Sequence, residues 1–155
     1  MPPKQPRRST HFRLDLGGHE GVGMFREATG LDSETSVIEQ HSVDDNGRPV
    51  IRKVPGATKW SNISLKRGID ESLDIWKWRQ VVLDEGPDNA RIDGNVALID
   101  YTGSTIATWK FEQGWPIKYS GASLNAGGNE VAVEEIQICH EGLERMCPVD
   151  HGHQD

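Results

Sequence analysis

Apolar and polar residues alternate along residues 60–67, in the middle of the chain, before the pattern changes to that of a helix. Ile63 and Leu65 alternate with polar neighbours, and this period of two is typical of a half-buried strand. Asp70 then fits the N-cap of a helix, and a Gly-Pro pair after residue 85 prevents the helix from continuing. The pattern therefore predicts a strand over residues 60–67 and a helix over residues 70–84.

The predicted helix has one apolar stripe that we expect to be buried. Leu73 and Trp76 follow Ile69 at helical spacing and form this stripe, while Trp78 belongs to a neighbouring one. Two of the five tryptophans of the chain lie on this helix, which indicates close packing on a large, flat surface. A β-sheet is the surface that we expect the helix to cover.

Period-two patterns elsewhere predict further strands. They cover residues 11–16, 22–29, 33–41, 91–101, 105–112 and 129–139. In the last of these, a shift of the apolar phase between Val133 and Ile136 predicts a bulge. With the central strand and a short piece after Trp115, about eight strands accompany one helix in the middle of the chain. This order predicts a mainly β fold, an antiparallel β-barrel or sandwich with one packed α-helix, rather than alternating β and α units.

Residues 42–59 show no clear period. An Asp-Asn-Gly turn signal at residues 45–47 and prolines at positions 49 and 55 interrupt any regular pattern. A connection of this length is uncommon inside a compact domain. We therefore expect residues 42–59 to form an extended functional loop.

The length of 155 residues fits one domain with polar segments at both ends. Residues 1–10 include basic residues, but no apolar region follows them, so we expect a flexible arm rather than a secretory signal. Residues 144–155 predict a flexible tail, which leaves residues 11–143 as the domain. No apolar run approaches the ~18 residues that a membrane-spanning helix needs. Two cysteines without an export signal are typical of reduced thiols in the cytoplasm.

The net charge of −7 is unevenly distributed along the chain. Residues 1–68 have a balance of +3 and residues 69–155 a balance of −10. An acidic chain is a poor nucleic-acid binder, so no specific binding of nucleic acid is expected. The asymmetry is compatible with head-to-tail stacking of copies, and an uneven solvated surface is the alternative interpretation.

The histidines and cysteines do not form a convincing metal or catalytic set. His11 and His19 flank a predicted turn without a third ligand, and His151 and His153 lie in the polar tail, which offers no fixed geometry. Cys139 is adjacent to a histidine, but neighbouring residues of a strand point to opposite faces, so a thiolate–imidazole pair is not expected.

Candidate catalytic carboxylates fail the same geometric test. Glu134 and Glu135 are adjacent on a predicted strand and so point to opposite faces. We therefore assign no catalytic, cofactor-binding or metal-binding residue and expect no enzymatic activity. The alternative is a small β-barrel enzyme or ligand-binding protein, but its pocket would need convergent polar groups, for which the sequence offers no candidates.

Six short motifs occur in a fixed order between residues 12 and 143. They are FREATGL from residue 25, VPG from residue 54, LKRGI from residue 65 with the WKW that follows at residue 76, WPIKYSG from residue 115, GNEVAVEE from residue 128 and HEGL from residue 140. Together they resemble the tail-tube proteins of contractile phages and the inner tube proteins of phage-like contractile injection systems.

This resemblance implies hexameric rings whose strands merge into the wall of a lumen. Stacked rings would form a rigid tube inside a sheath, and contraction of the sheath would drive the tube through a target envelope while an effector or DNA passes along the lumen. The implied partners are other copies of the chain, the sheath protein, baseplate, hub and spike proteins at one end and a terminator cap at the other. Insertion of the monomer into a membrane is not implied. The protein would be cytoplasmic on synthesis and then part of a particle or virion tail that can be released.

The resemblance also assigns roles to residues. The helix and its neighbouring strand would provide subunit packing and core residues, namely Leu65, Arg67, Leu73, Trp76 and Trp78. The loop over residues 42–59 would reach the next ring, with a net charge of +2 that suits an acidic surface there. The residues expected to carry this stacking are Arg48, Arg52, Lys53, Pro55 and Lys59.

Overall fold

The computed structural model describes residues 10–17, 19–69, 72–121 and 132–146. These residues form ten strands and one α-helix, in the order β1 (His11–Leu16), β2 (His19–Phe25), β3 (Glu27–Thr29), β4 (Ser33–Val43), β5 (Pro49–Trp60), β6 (Ile63–Gly68), α1 (Asp74–Glu85), β7 (Ile92–Ile99), β8 (Thr105–Ser120), β9 (Val133–Cys139) and β10 (Gly142–Met146). A short 3-10 helix at Pro87–Asn89 follows α1. The predicted mainly β fold with one packed helix is confirmed.

Eight of the strands form one antiparallel sheet in the order β2-β1-β7-β8-β9-β6-β3, with β10 added beside β8. β2 also contacts β6, and β1 contacts β3, so the ends of this sheet approach each other. Within the described ranges, β4 and β5 pair only with each other and form a separate two-stranded sheet. The chain therefore consists of a barrel-like body and a hairpin attached to it.

β8 is long enough to serve both halves of the body. Its first part pairs with β7 and β10, and its second part pairs with β9. Between the two parts, Gln113 has φ 52°, and its backbone N–H donates a 2.9 Å hydrogen bond to Oδ1 of Asp93. A Cβ at Gly114 would lie 2.4 Å from the ring of Phe111, so the chain needs glycine here. This local turn lets one strand pass from one half of the body to the other.

The core lies inside the barrel-like body. β6 alternates between buried and half-buried residues, and Ile63 and Leu65 are completely buried. The pattern in the sequence therefore predicted the inward face of this strand correctly. The largest fully buried neighbours come from the other strands and the helix and include Leu14, Phe25, Ile75, Val96, Phe111, Ile136 and Ile138.

The helix begins later than predicted, and its buried face is different. It starts at Asp74, Leu73 precedes it, and the predicted N-cap Asp70 lies outside the described residues. Leu73 and Trp76 are 58% and 43% exposed, whereas Ile75 is 1% exposed. The interpretation of Leu73 and Trp76 as the buried stripe of the monomer is therefore wrong. The neighbouring stripe faces the body instead, because Ile75 enters the core and Trp78 packs against it.

The predicted loop over residues 42–59 is mostly a strand. Only the turn between β4 and β5 is irregular, and β5 continues from Pro49 to Trp60. Prolines are tolerated at the start of a strand or at a bulge. Pro49 is the first residue of β5, and Pro55 lies opposite Val37, beside the register shift between Thr35 and Val37. The prolines therefore interrupt the period in the sequence without ending the strand.

Two further predictions at the end of the chain differ from the structure. β9 shows regular alternation without the predicted bulge, because Glu134 takes an inward position, and the irregularity lies instead in β8 between Pro116 and Lys118. Residues 144–146, predicted as part of a flexible tail, pair with β8 as the end of β10. Residues 1–9 and 147–155, which include the rest of the predicted arm and tail, lie outside the described part of the chain.

None of the helices in the described ranges is both long and apolar enough to cross a membrane.

Candidate functional site

The hairpin β4–β5 exposes almost all of its side chains. Ser42 is the only residue of β4 that is even half-buried, and nine of the other residues pair with β5 in a ladder that runs from Ser33 to Val43. A two-stranded hairpin on its own is only marginally stable in water. The hairpin is therefore expected to gain stability from contacts with another molecule.

Both faces of the hairpin carry exposed apolar side chains. Directly opposed residues of an antiparallel pair point to the same face. Val37, Val43 and Ile51 therefore share one face and are 62%, 67% and 58% exposed, and Ile38, 51% exposed, lies opposite Val54 on the other. Exposed apolar patches of this kind mark sites of interaction with other proteins.

The five predicted stacking residues all lie on this hairpin but on different parts of it. Lys53 lies opposite Glu39, and Lys59 lies opposite Glu34, whereas Arg52 lies opposite the uncharged Gln40. Pro55 lies opposite Val37 at the bulge. Over residues 33–60, four cations and four carboxylates balance, so the +2 counted for residues 42–59 is offset by β4. Arg52 is the strand cation without an acid directly opposite it.

Arg48 belongs to the turn at the far end of the hairpin. Oδ1 of Asp44 accepts hydrogen bonds from the backbone N–H groups of Asn46 and Arg48 at 2.9 and 2.8 Å. Gly47 has φ 78°, a conformation that glycine adopts without strain. The turn is therefore defined by local hydrogen bonds, and the Arg48 side chain is exposed at the tip.

The outer face of α1 forms a second exposed apolar surface. Leu73, Trp76 and Leu83 are spaced so that they follow one side of the helix, and Leu83 is 56% exposed. The ring of Trp76 also contacts Tyr119 edge-on, with centroids 5.1 Å apart. Trp78 lies on the inner side, where its Nε1–H donates a 2.9 Å hydrogen bond to the carbonyl oxygen of Ala90. Leu83 was not among the predicted contact residues, although its seven-residue spacing from Trp76 places it on the same side of the helix.

Beneath this helix face lies a buried ion pair. Arg67 donates from Nε to Oε1 of Glu134, and the guanidinium lies 5.4 Å from the centroid of the Phe25 ring. The Tyr119 hydroxyl donates a 2.6 Å hydrogen bond to Oε2 of Glu134. Burial, together with this hydrogen bond and the negative charge of Glu134, raises the pKa of Tyr119 to about 12. Arg67 is therefore a core residue, as predicted, and its charge is compensated inside the body.

Glu134 and Glu135 point to opposite faces, as predicted. Glu134 is buried, whereas Glu135 accepts a 2.5 Å hydrogen bond from the Ser64 hydroxyl near the surface. This hydrogen bond is the main reason that the pKa of Glu135 is lowered, with smaller contributions from Gln137 and Lys66. Their side chains do not converge on one site, so they do not form a catalytic pair.

The histidine pair considered for metal binding does not come together. The strand register places His19 opposite Leu16, so His11 lies roughly 17 Å away along the strand. Among the described residues no group of three or more potential ligands could hold a metal ion. His151, His153 and Cys147 lie outside those residues, and Cys139 is half-buried next to the buried His140.

The body also has a cleft of about 320 Å³ between the end of β5, β8 and β10. It is lined by Trp60, Lys110, Glu112, Glu141, Gly142, Leu143 and Glu144. Its charged groups are exposed carboxylates and one ammonium group, without a nucleophile or a buried acid–base pair among them. This geometry gives no support to the alternative of an enzyme.

The described residues form a barrel-like β body with one packed helix, and the hairpin and the outer face of the helix both expose apolar side chains. The chain matches the family described as T4-like virus tail tube protein gp19 over residues 8–144 and therefore belongs to that family. The predicted family resemblance is confirmed. No curated protein matches the chain.

Solved structures of tube proteins have the same fold. A chain of the sheath-tube complex of PVC, an extracellular contractile injection system, in the extended state has a TM-score of 0.72, with 22% identity and 94% of each chain covered. A chain of the tube-terminating cap of the anti-feeding prophage AFP has a TM-score of 0.71, with 23% identity and 95% of each chain covered. Hcp1 from Flavobacterium johnsoniae is more distant, with a TM-score of 0.52, 16% identity and coverage of 87% of this chain and 94% of that chain.

Proposed function

We propose that this protein is the structural inner tube subunit of a contractile injection system or contractile phage tail. Copies of the chain would form hexameric rings, and the rings would stack around a lumen. Contraction of a surrounding sheath would drive the tube through a target envelope, with an effector or DNA in the lumen. Membership of the tail tube family and the shared fold of the PVC and AFP chains support this role.

The hairpin β4–β5 is the observation on which this proposal mainly rests. It forms no sheet with the body, and it exposes Val37, Val43 and Ile51 on one face and Ile38 on the other. Burial of apolar surface contributes roughly 25 cal/mol per Å². Contacts of both faces in an assembly would therefore stabilise a hairpin that a single chain leaves in water.

The helix surface provides a second contact. Leu73, Trp76 and Leu83 would pack against a neighbouring subunit, which explains why large apolar residues remain exposed in the single chain. Leu65, Arg67 and Trp78 would support this surface from the inner side. The predicted set of packing residues is thus divided between an inner and an outer side of the same helix and strand.

Stacking of rings would use the hairpin and its cations. Arg52 has no acid directly opposite it in the ladder, so it is better placed than Lys53 and Lys59 to meet an acidic surface. Arg48 is exposed at the tip, across the turn from Asp44. Pro55 would shape the hairpin at its bulge. Complementary charges favour the correct orientation of partners more than they raise affinity.

Further partners follow from the role of a tube. A contractile sheath protein would surround the tube, baseplate, hub and spike proteins would bind one end, and a terminator cap would bind the other. We infer that the protein is synthesised in the cytoplasm and then assembled into a phage-like particle or virion tail. In this role it has no catalytic activity and needs no cofactor.

Negative-stain electron microscopy of the purified chain tests the proposal. We expect six-fold rings with a central hole in end views and stacked rings or tubes in side views. A preparation that contains only monomers over a range of protein and salt concentrations would overturn the proposal. A clear fraction of rings without tubes would support the proposed contacts within a ring but not the proposed contacts between rings.

A further inference from the structure

The hairpin is joined to the body at a root where its two ends meet. Asp32 precedes β4 and Ser61 follows β5, and the Ser61 hydroxyl donates to Oδ1 of Asp32. The backbone N–H of Ser61 also donates to the carbonyl oxygen of Asp32 over 3.4 Å. The position of the hairpin relative to the body therefore depends strongly on what holds Ser61.

His140 holds Ser61 from the side of the body. Its Nε2 lies 3.0 Å from the carbonyl oxygen of Ser61, and its Nδ1 lies 3.1 Å from the carbonyl oxygen of Gly142. His140 is 8% exposed, and the centroid of its ring lies 6.1 Å from that of Trp60 and 6.3 Å from that of Phe111. One imidazole thus bridges the root of the hairpin and the start of β10.

Both ring nitrogens face hydrogen-bond acceptors, which makes the bridge dependent on protonation. A neutral imidazole has one N–H, so it can donate to only one of two carbonyl oxygens. Its other nitrogen would then direct a lone pair at the second carbonyl oxygen, and that contact would be repulsive. An imidazolium has two N–H groups and satisfies both carbonyl oxygens.

Charged groups of both signs lie on the elements around the ring. β5 presents the uncharged ring of Trp60, and Asp32 lies beyond Ser61 at the root. The cleft beside Trp60 and Gly142 is lined by Lys110 and Glu112 on β8, Glu141 in the turn before β10 and Glu144 on β10. Arg91 forms an ion pair with Glu141 at 3.4 Å, and β10 and β5 also carry Arg145 and Lys59. Because charges of both signs lie in this region, the dependence on protonation rests on the two carbonyl oxygens that face the ring nitrogens.

We propose that His140 forms a pH-sensitive contact between the hairpin and the body. The protonated imidazole makes both hydrogen bonds, to the carbonyl oxygens of Ser61 and Gly142, and loss of the proton breaks one of them. Protonation supplies both hydrogen bonds, whereas deprotonation leaves one carbonyl oxygen without its donor. Histidine side chains change charge over the range between about pH 5 and pH 8. Over that range the hairpin changes from a firmly held to a more mobile element.

Hydrogen exchange of the full-length chain tests this proposal. Amide exchange in β4 and β5 is measured by mass spectrometry at about pH 5 and pH 8, on the unassembled fraction, with exchange times corrected for the intrinsic effect of pH. We expect the corrected exchange to be about tenfold faster at the higher pH, which corresponds to ~1.4 kcal/mol. Peptides from β7 and the first part of β8 report on the body and should show no such change.

Two variants and one direct observation complete the test. His140→Gln does not titrate and should remove the pH effect, while the matched control His41→Gln, an exposed histidine on the hairpin itself, should retain it. A pH effect that persists in His140→Gln, or that is absent from the parent, overturns the proposal. If His140→Gln does not fold, ring ¹⁵N spectra of the parent decide: a His140 ring that stays in one charge state across the range overturns it. Because the unassembled fraction is used, these results do not depend on whether tubes form.

Discussion

The Tyr119 hydroxyl donates a hydrogen bond to Glu134, the same carboxylate that accepts from Arg67 through its other oxygen. Both oxygens of one buried carboxylate are therefore occupied by donors from two different strands. A buried charge pair becomes strongly destabilising when one partner is removed, because the other charge is left uncompensated. Glu134 thus connects β6, β8 and β9 beneath the helix.

Glu134→Gln should lower the free energy of unfolding by roughly 3–5 kcal/mol, because Arg67 would remain buried without its counter-charge. The adjacent Glu135→Gln is the matched control. Lys66 is 40% exposed and lies 4.0 Å from Glu135, and a glutamine oxygen can still accept from the Ser64 hydroxyl, so this change should cost less than about 1 kcal/mol. Denaturant unfolding of both variants measures the difference, and equal losses would contradict the assignment of Glu134 as the buried partner.

The raised pKa of Tyr119 leads us to expect a loss of stability at alkaline pH. Its pKa is raised from 10.0 to about 12 in the folded chain, so the unfolded chain loses the phenol proton first as the pH rises. The stabilisation is complete below pH 10 and is lost progressively between these two values. Thermal unfolding of Tyr119→Phe should show a weaker pH dependence there than the parent. Tyr101→Phe, a change at the exposed tyrosine of the β7–β8 turn, should leave the dependence unaltered.

The two faces of the helix are expected to contribute to different properties, the buried face to stability and the exposed face to assembly. Ile75→Ala should destabilise the chain by roughly 2–5 kcal/mol, because Ile75 is a core residue. Leu83→Ala, on the exposed face of the same helix, should change the free energy of unfolding by less than about 0.5 kcal/mol but reduce the fraction of rings. Calorimetry and electron microscopy of the two variants measure these quantities. Normal ring formation by Leu83→Ala would remove this residue from the subunit contact.

The hairpin charges give a prediction about stacking. Arg52→Glu should leave folding and ring formation nearly unchanged but shorten the tubes, because Arg52 has no acid opposite it and is available to another ring. Lys53→Glu is the control for charge, and since Lys53 already faces Glu39, it should affect stacking less. Higher salt should shorten the tubes of the parent as well, because exposed charge pairs are screened. Tubes of parental length from Arg52→Glu and from the double variant with Lys53→Glu would exclude stacking through these charges.

The exposed face of the hairpin gives a final prediction. Ile51→Thr keeps a β-branched side chain and so should not disturb the strand, but it removes apolar surface from the face shared with Val37 and Val43. We expect unaltered thermal stability of the single chain and a clear loss of assembly. The measurements are calorimetry at low concentration and size-exclusion chromatography at high concentration. Thr58→Ile, which adds apolar surface near the root, is the control and should not reduce assembly.

Much of the body could be predicted from the sequence, because its strands bury one face. The alternation around Leu65 identified the inward side of β6, and that residue is completely buried. The prediction of which helix face is buried was wrong for a physical reason. An apolar stripe such as Leu73 and Trp76 can be covered by the body of the same chain or by another molecule. The sequence pattern does not distinguish these two cases. β5 was missed because its residues have no buried face in the single chain and therefore no period.

Buried polar residues were the other feature that the pattern concealed. Glu134 interrupts the apolar phase of β9 and so predicted a bulge, whereas it occupies an ordinary inward position opposite Arg67. His140 was weighed only as a partner for Cys139, because one of the two carbonyl oxygens that it contacts belongs to Ser61, which is 79 positions away in the sequence. Hydrogen bonds of this kind are set by the tertiary fold and leave no local trace in the chain.

Because Asp32 and Ser61 meet at the root, the hairpin is a structural unit that can vary independently of the body. Its two ends enter and leave the body at one point, so the segment between them can be lengthened, shortened or replaced without changing the register of any strand in the body. Insertions between close ends cost little conformational entropy. The surface that one copy offers to another can therefore diverge rapidly while the barrel-like body is inherited almost unaltered, and a foreign peptide could be displayed at the same position by design.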